Sequence, residues 1–205
     1  MGVYYCYNFD MKKINEYIQF LPMSDGPLSA DVYVISVDNK TFVYDIGSSD
    51  ESYVLVNSLD NPIYIISHFH EDHMGNINRL ENGLIYLSKY SFDRSKKGIV
   101  IDKDTDLSSH VEIVLIPSSH SKGSLGLKVN EYLFVGDALY FGINKGRPSY
   151  NQNTLKETID LINSIDVQFV IMSHDETIFS KNEIVEKLSK IYQKRIKNEP
   201  YIYVD

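Results

Sequence analysis

Four side chains of the metal-binding kind stand within six positions, His68, His70, Asp72 and His73, directly behind the apolar run Ile63-Tyr64-Ile65-Ile66. Neutral imidazole is the commonest side-chain ligand for zinc, and carboxylates join it in sites that leave a position open for water. A straight strand sends successive side chains to opposite faces, so these four donors converge only if the backbone turns. Gly75 and Asn76, followed by Ile77 and Leu80, suit a strand that breaks into a loop and then a helix. The donors then fan toward two neighbouring centres, and two metal ions are expected rather than one.

Two ions need more ligands, and the chain offers them behind other apolar runs. His120 follows the run 111–116 in "IPSSHSKGSLGL", Asp137 follows 132–135 in "LFVGDALY", and His174 follows 167–172 in "VIMSHDET". Strand ends are where loops carry chemistry on a rigid scaffold. Five of the six histidines are used in this way; His110, between Ser109 and Val111, fits no such position and reads as a surface residue.

The rest of the pattern predicts strands over 31–37, 41–46, 63–67, 84–87, 111–116, 125–129, 132–135 and 167–172. Asp38-Asn39 and Asn130-Glu131 fall between pairs of them and predict tight hairpins. Leu155, Ile159 and Ile162 share one helical face behind a capping-box start at Thr154 to Glu157, and Ser180 to Glu183 starts a last helix in the same way. Two further helices are expected, over 50–59 and from about Met74. Residues 88–110, rich in Ser, Lys and Asp, read as an exposed loop or strand-loop insertion that could close over the site. With no repeat and no linker, residues 1–205 form one α+β domain.

Composition narrows the partners. A formal charge of −8 repels phosphate backbones, and the basic spots at Lys96-Lys97 and 190–197 read as solvated faces, so no nucleic acid is expected. The single cysteine, Cys6, excludes an intramolecular disulfide and reads as an apolar filler. No window approaches the length of a membrane span, and Met1 to Tyr4 lack a charged leader, so no membrane partner and a cytoplasmic location are expected.

The ordered set Asp45, His68-x-His70-x-Asp72-His73, His120, Asp137 and His174 resembles the five motifs of the metallo-β-lactamase superfamily, with "YDIG" at 44–47 similar to the first. The resemblance implies a four-layer αββα sandwich with the metals along one edge. His68, His70 and His120 would hold one ion and Asp72, His73 and His174 the other, with Asp137 bridging and Asp45 fixing the ligand loop. Two divalent cations are implied, zinc by default, with iron or manganese also compatible with such mixed ligands. A metal-bridging hydroxide would cleave a small ester, thioester or lactone, and Asp137 or Asp72 could relay the proton to the leaving group.

Within the superfamily, Asp137 departs from the true β-lactamases, which place a non-carboxylate there. Gly146-Arg147 resembles short glyoxalase II-like thioesterases. Asp137-Ala138-x-Tyr140 resembles the acyl-homoserine lactonases, in which the tyrosine helps the substrate carbonyl. Lys122, Lys145 and Arg147 fall on loops that the resemblance places near the mouth, where cations could hold a substrate anion. A phosphodiesterase or nuclease of the same superfamily is the rival enzyme, and a non-catalytic metal-binding sensor is the rival from another class.

Overall fold

The computed structural model describes residues 9–204, and Cys6 lies outside them. Two sheets pack face to face. The first has seven strands in the order Lys12–Lys13, Ile18–Leu21, Val32–Val37, Lys40–Tyr44, Ile63–Ile65, Leu84–Ser88 and Ile99–Ile101. Its first four strands are antiparallel neighbours and the rest join in parallel. The second has six, ordered Thr105–Asp106, Val111–Ile116, Ser124–Val129, Tyr132–Gly136, Phe169–Met172 and Ile178–Ser180. Only Tyr132–Gly136 and Phe169–Met172 pair in parallel there.

The period of two in the strands explains why both faces of each sheet are dry. Along Val32–Val37, Val32 and Val34 point to an outer layer while Tyr33 and Ile35 point between the sheets. Phe134 and Ile171 likewise point inward, and Leu133, Val135, Val170 and Met172 point to the opposite outer layer. Each such fully buried side chain contributes about 1.5–3 kcal/mol relative to an exposed one. Helices cover the outer faces. Helix α1 (Asp50–Ser58) and α2 (Glu71–Met74) lie on the first sheet, where Leu55, Val56 and Met74 join its core. After α3 (Lys89–Ser95), helices α4 (Gln152–Ser164) and α5 (Lys181–Gln193) cover the second sheet through Leu155, Ile159, Ile162, Ile184 and Leu188. The result is the expected αββα sandwich, formed by a single domain. No helix is long and apolar enough to cross a membrane.

Both predicted hairpins form: Asp38 and Asn39 take φ of 52° and 56°, and Asn130 takes 50°. The left-handed conformation is tolerated best by Gly, Asn and Asp, which is why these residues occupy the turns. Helix α1 begins behind Ser49, whose hydroxyl accepts the Ser52 N–H.

Several expectations need correction. Helix α4 starts two residues before Thr154, because the Asn151 side chain accepts the N–H groups of Asn153 and Thr154 and so takes the cap. The helix expected from Met74 begins at Glu71 and passes at Gly75 into a 3₁₀ turn that runs to Arg79. Of the two forms expected for residues 88–110, the strand-loop insertion is the one that forms. It supplies α3 and two edge strands, Ile99–Ile101 and Thr105–Asp106, one to each sheet. The sequence reading also missed Ile18–Leu21 and a third sheet formed by Gly142–Asn144, Arg147–Asn151 and Tyr201–Tyr203.

At α5 the capping box is complete: Ser180 Oγ accepts the Glu183 N–H, and the Glu183 carboxylate accepts the Ser180 N–H at 2.8 Å. Ser180→Ala removes one half of it and should lower unfolding stability by about 1 kcal/mol in urea denaturation at fixed metal concentration. An unchanged midpoint would show that the cap is redundant with the packing of Ile184 and Leu188.

Candidate metal centre

Each expected ligand stands where an apolar strand ends at the same edge of the sandwich. Asp45 follows Lys40–Tyr44 and donates its N–H to Ile65 O at 2.9 Å, so two strands finish level with each other. Ser67 O accepts the Leu125 N–H at 2.8 Å, which ties the first sheet to the second beside the ligand loop. From there the backbone turns into α2, with His70 as its first flanking residue, and His68, His70, Asp72 and His73 fan apart.

Asp137 is aimed by an irregularity. Phe134 pairs with Ile171 and Gly136 with Met172, so Val135 is an extra residue and the strand bulges just before Asp137. Bulges re-aim side chains near sites. Gly136 has a φ of 54°, and a Cβ there would lie 2.7 Å from Ser67 Cβ, so only glycine lets this strand end approach the ligand loop.

Two groups of donors result. His68, His70, His120 and Asp137 offer ligand atoms within 4.8 Å of one another, and so do Asp72, His73, His174 and Asp137. Asp137 belongs to both: its Oδ2 lies 3.4 Å from His120 Nε2 and 3.3 Å from His73 Nε2, and its Oδ1 lies 3.7 Å from His174 Nε2. His174 Nε2 is 3.1 Å from Asp72 Oδ2. All seven expected ligands are thus brought together.

In three of the five imidazoles the ring nitrogen that faces away from these groups has a partner. His73 Nδ1 donates to Asp45 Oδ2 at 2.7 Å, His120 Nδ1 donates to Phe141 O at 3.1 Å, and His68 Nδ1 lies 2.9 Å from Ser67 Oγ. A proton held on Nδ1 leaves the Nε2 lone pair directed into the site, the usual arrangement behind a metal-ligating imidazole. His68 Nε2, His73 Nε2 and Asp137 Oδ1 are buried yet have no hydrogen-bond partner. Buried polar atoms are nearly always satisfied, so three orphaned donors pointing into one space fit cations there.

The electrostatics agree. Burial pushes the His68 pKa far down and that of His70 down, so both are neutral and able to ligate. Burial also disfavours a charged His73, but Asp45 and Asp137 overcome it and push the pKa up to about 10. The hydrogen bond that His174 donates to Asp72 raises the His174 pKa. The acids therefore hold positive charge at His73 and His174, and a cation in the second group would take the place of those protons.

The supporting residues were less legible. Asp45 behaves as expected: it is fully buried, takes a φ of 59°, and accepts the Ser67 N–H at 2.7 Å as well as His73. Asp31, read only as the start of a strand, is buried and accepts the N–H of His174 at 2.8 Å and of Met23 at 2.9 Å. Burial raises its pKa despite these bonds. Asn76 is buried and donates to Ser49 O and Ser52 Oγ, both at 3.0 Å, fastening the ligand loop to α1. An acid beside an alanine and an asparagine after a glycine carry no sequence signal for such roles.

Tyr140 lines the pocket beside His70 and His120; its hydroxyl donates to Ser173 O at 2.8 Å, and burial raises its pKa. Lys122 lines a cleft of about 550 Å³ beside His120. Lys145 and Arg147 do not: they sit at the outer turn of the third sheet, where Arg147 stacks over the Tyr203 ring at 4.2 Å. His110 is the surface residue expected, paired with Asp38 Oδ1 at 2.7 Å.

No family model matches the sequence, and no curated protein sequence is similar to it. Solved structures are similar. DIM-1 metallo-β-lactamase superimposes with a TM-score of 0.68 over 89% of this chain and 96% of its own, at 17% identity. A metallo-β-lactamase from Pontibacter korlensis gives 0.68 over 91% and 99%, at 14% identity. The chain has the metallo-β-lactamase fold. FIM-1 from Pseudomonas aeruginosa, in a mono-zinc form, also shares the fold, with a TM-score of 0.65 over 90% of this chain and 94% of its own, at 14% identity.

Asp45→Asn keeps an acceptor for the Ser67 N–H but removes the charge behind His73. It should weaken metal binding about 10–100-fold, read by competition with a chromophoric chelator. Unchanged affinity would show that Asp45 serves the backbone alone.

Proposed function

We propose that the protein is a dinuclear metal-dependent hydrolase of a small ester, thioester or lactone. The observation that carries this reading is the pair of four-donor groups sharing one carboxylate, Asp137, beside clefts open to solvent. Divalent ions held by His68, His70 and His120 and by Asp72, His73 and His174 supply a polarised carbonyl and an acidified water at neutral pH. Zinc is the proposed metal; the same donors accept iron or manganese.

The chain's own residues do the rest. Asp45, Phe141 O and Ser67 hold the imidazole tautomers, so the donor nitrogens need no rearrangement when substrate arrives. Asp72 and Asp137 are the acids placed to take a proton from water and return it to the leaving group. Tyr140 positions the His174 loop through Ser173 O. A pocket of about 500 Å³ beside His70 and His120, walled by Phe141 and Ile143, receives an apolar part of the substrate. Ile143 is 67% exposed, a cost that contact with substrate would recover.

The structural neighbours are metallo-β-lactamases by name, but the family resemblance of the sequence implies a non-carboxylate at the bridging position of a true β-lactamase, and Asp137 stands there, so a β-lactam is not the proposed substrate. The acidic surface disfavours the nuclease reading. A sensor would not need a second group of donors sharing an acid with the first. The proposed substrate is a small molecule, and the proposed location is the cytoplasm.

The test is a panel of thioester, lactone and phosphodiester substrates on zinc-, iron- and manganese-loaded protein. Turnover of a thioester or lactone, abolished by chelation and restored by metal, is expected. Faster cleavage of bis(p-nitrophenyl) phosphate would establish the nuclease reading, and two bound metals with no turnover would favour the sensor. Asp137→Asn should lower turnover at least about 100-fold with reduced occupancy of both groups, more than loss of an outer partner costs. His110→Ala, far from the centre, should leave both near normal. Chelation should also lower the melting temperature, since the ions bind the folded state.

A further inference from the structure

The chain carries 28 acidic residues against 20 basic ones, yet no carboxylate lines the cleft of about 550 Å³ that opens beside His120. Its polar lining is neutral apart from one cation: Ser118, Ser121, Lys122, Asn144, Asn151 and Thr154. Among the described residues the exposed Lys122 has no ion-pair or hydrogen-bond partner; Lys13, Lys103 and Lys145 lack one as well, but Lys122 is the lysine that lines a cleft beside His120. An ammonium left unpaired in an acidic protein, two residues from a candidate metal ligand, is placed to meet charge that arrives from outside.

The surroundings keep it so. Ser118 Oγ accepts the N–H groups of His120 and Ser121, which fixes the loop that carries Lys122. Gly142 packs against the same loop: a Cβ there would lie 2.0 Å from Ser119 O, so only glycine allows the approach. Phe141 O meanwhile holds His120 Nδ1. The segment 141–144 therefore stands as a fixed wall, with the apolar pocket of Phe141 and Ile143 on one side and the Lys122 cleft on the other. His120, Gly142 and Ile143 border both. Tyr90 and Phe69 close the outer end of the cleft, and Tyr201 brings the last strand to it.

Resting on the hydrolase reading, we infer that the substrate is an amphiphilic acyl compound whose anionic group, a carboxylate or a phosphate, pairs with Lys122 while its apolar part fills the pocket of Phe141 and Ile143. The scissile carbonyl then lies between the two, beside His120. Lys122 acts as a specificity determinant and does not touch the reacting atoms.

Two esters of similar length separate the charge from the chemistry: the mono-4-nitrophenyl ester of glutaric acid and 4-nitrophenyl pentanoate. Wild-type protein should prefer the anionic ester. Lys122→Gln should shift the ratio of their kcat/KM values about tenfold toward the neutral ester, Lys122→Arg should restore most of it, and the wild-type preference should fall as salt rises. Independently of turnover, calorimetry with glutarate and with inorganic phosphate should show binding to the metal-loaded wild type that weakens about tenfold in Lys122→Gln. Whichever anion binds more tightly identifies the group. An unshifted ratio together with unchanged glutarate and phosphate binding would overturn the inference while leaving the hydrolase reading intact. Lys122-dependent anion binding with no turnover of either ester or of the thioester and lactone panel would leave Lys122 as an anion site, overturn its role in substrate choice and sink the hydrolase reading.

Discussion

One buried carboxylate joins the scaffold to the chemistry. Asp45 ends a strand in a left-handed turn, donates its N–H to the neighbouring strand, and accepts the Ser67 N–H and His73 Nδ1 with its two oxygens. An uncompensated carboxylate in such a place would cost several kcal/mol, so its two partners are constraints as much as bonds. Moving His73 leaves a buried charge half paired. Moving Ser67 breaks the bond from Leu125 that joins the sheets at the same edge. The ligand loop is held in its fan because every alternative strands Asp45. Tyr44, just before it, donates to Leu125 O at 2.7 Å and closes the clip from the other side.

The legible parts of the fold are those set by short-range periodicity. The near-continuous apolar runs Val32–Val37 and Tyr132–Gly136 expose the sandwich, because both faces of each strand must be apolar where four layers stack. The seven ligands were readable for a related reason: each is a polar residue breaking an apolar run. What periodicity cannot show is a long-range partner. Asp31 looks like a strand boundary, and its bond to the His174 N–H spans 143 residues of sequence. The hold of Phe141 O on His120 comes from a carbonyl, which every residue has. The third sheet was missed because its strands are short and polar, and the third of them comes from near the carboxyl terminus.

Errors in the sequence reading share that cause. Thr154 to Glu157 has the form of a capping box, but Asn151 stands upstream with an acceptor that reaches the N–H groups of both Asn153 and Thr154, and local pattern does not say which of two competent caps is taken. Residues 88–110 look solvated because they lie at sheet edges, where one side of each strand is wet; Ile99 and Val100 remain exposed there.

The charge pattern at the sandwich edge implies an order of events. Asp45, Asp72 and Asp137 face the imidazoles of the centre, and without cations the protons they hold on His73 and His174 offset part of their charge. In the proposed dinuclear enzyme, two divalent ions would bring four positive charges in place of those two protons and make the local field positive, an effect that is strong where water is excluded. The neighbouring cleft, free of acids, would then present Lys122 and the metal centre as a continuous positive surface on a molecule of net negative charge. Metal loading would thus set both the reactivity of the centre and the sign of the molecule it attracts, so that in this reading the acids that gather the ions also time the arrival of an anionic substrate.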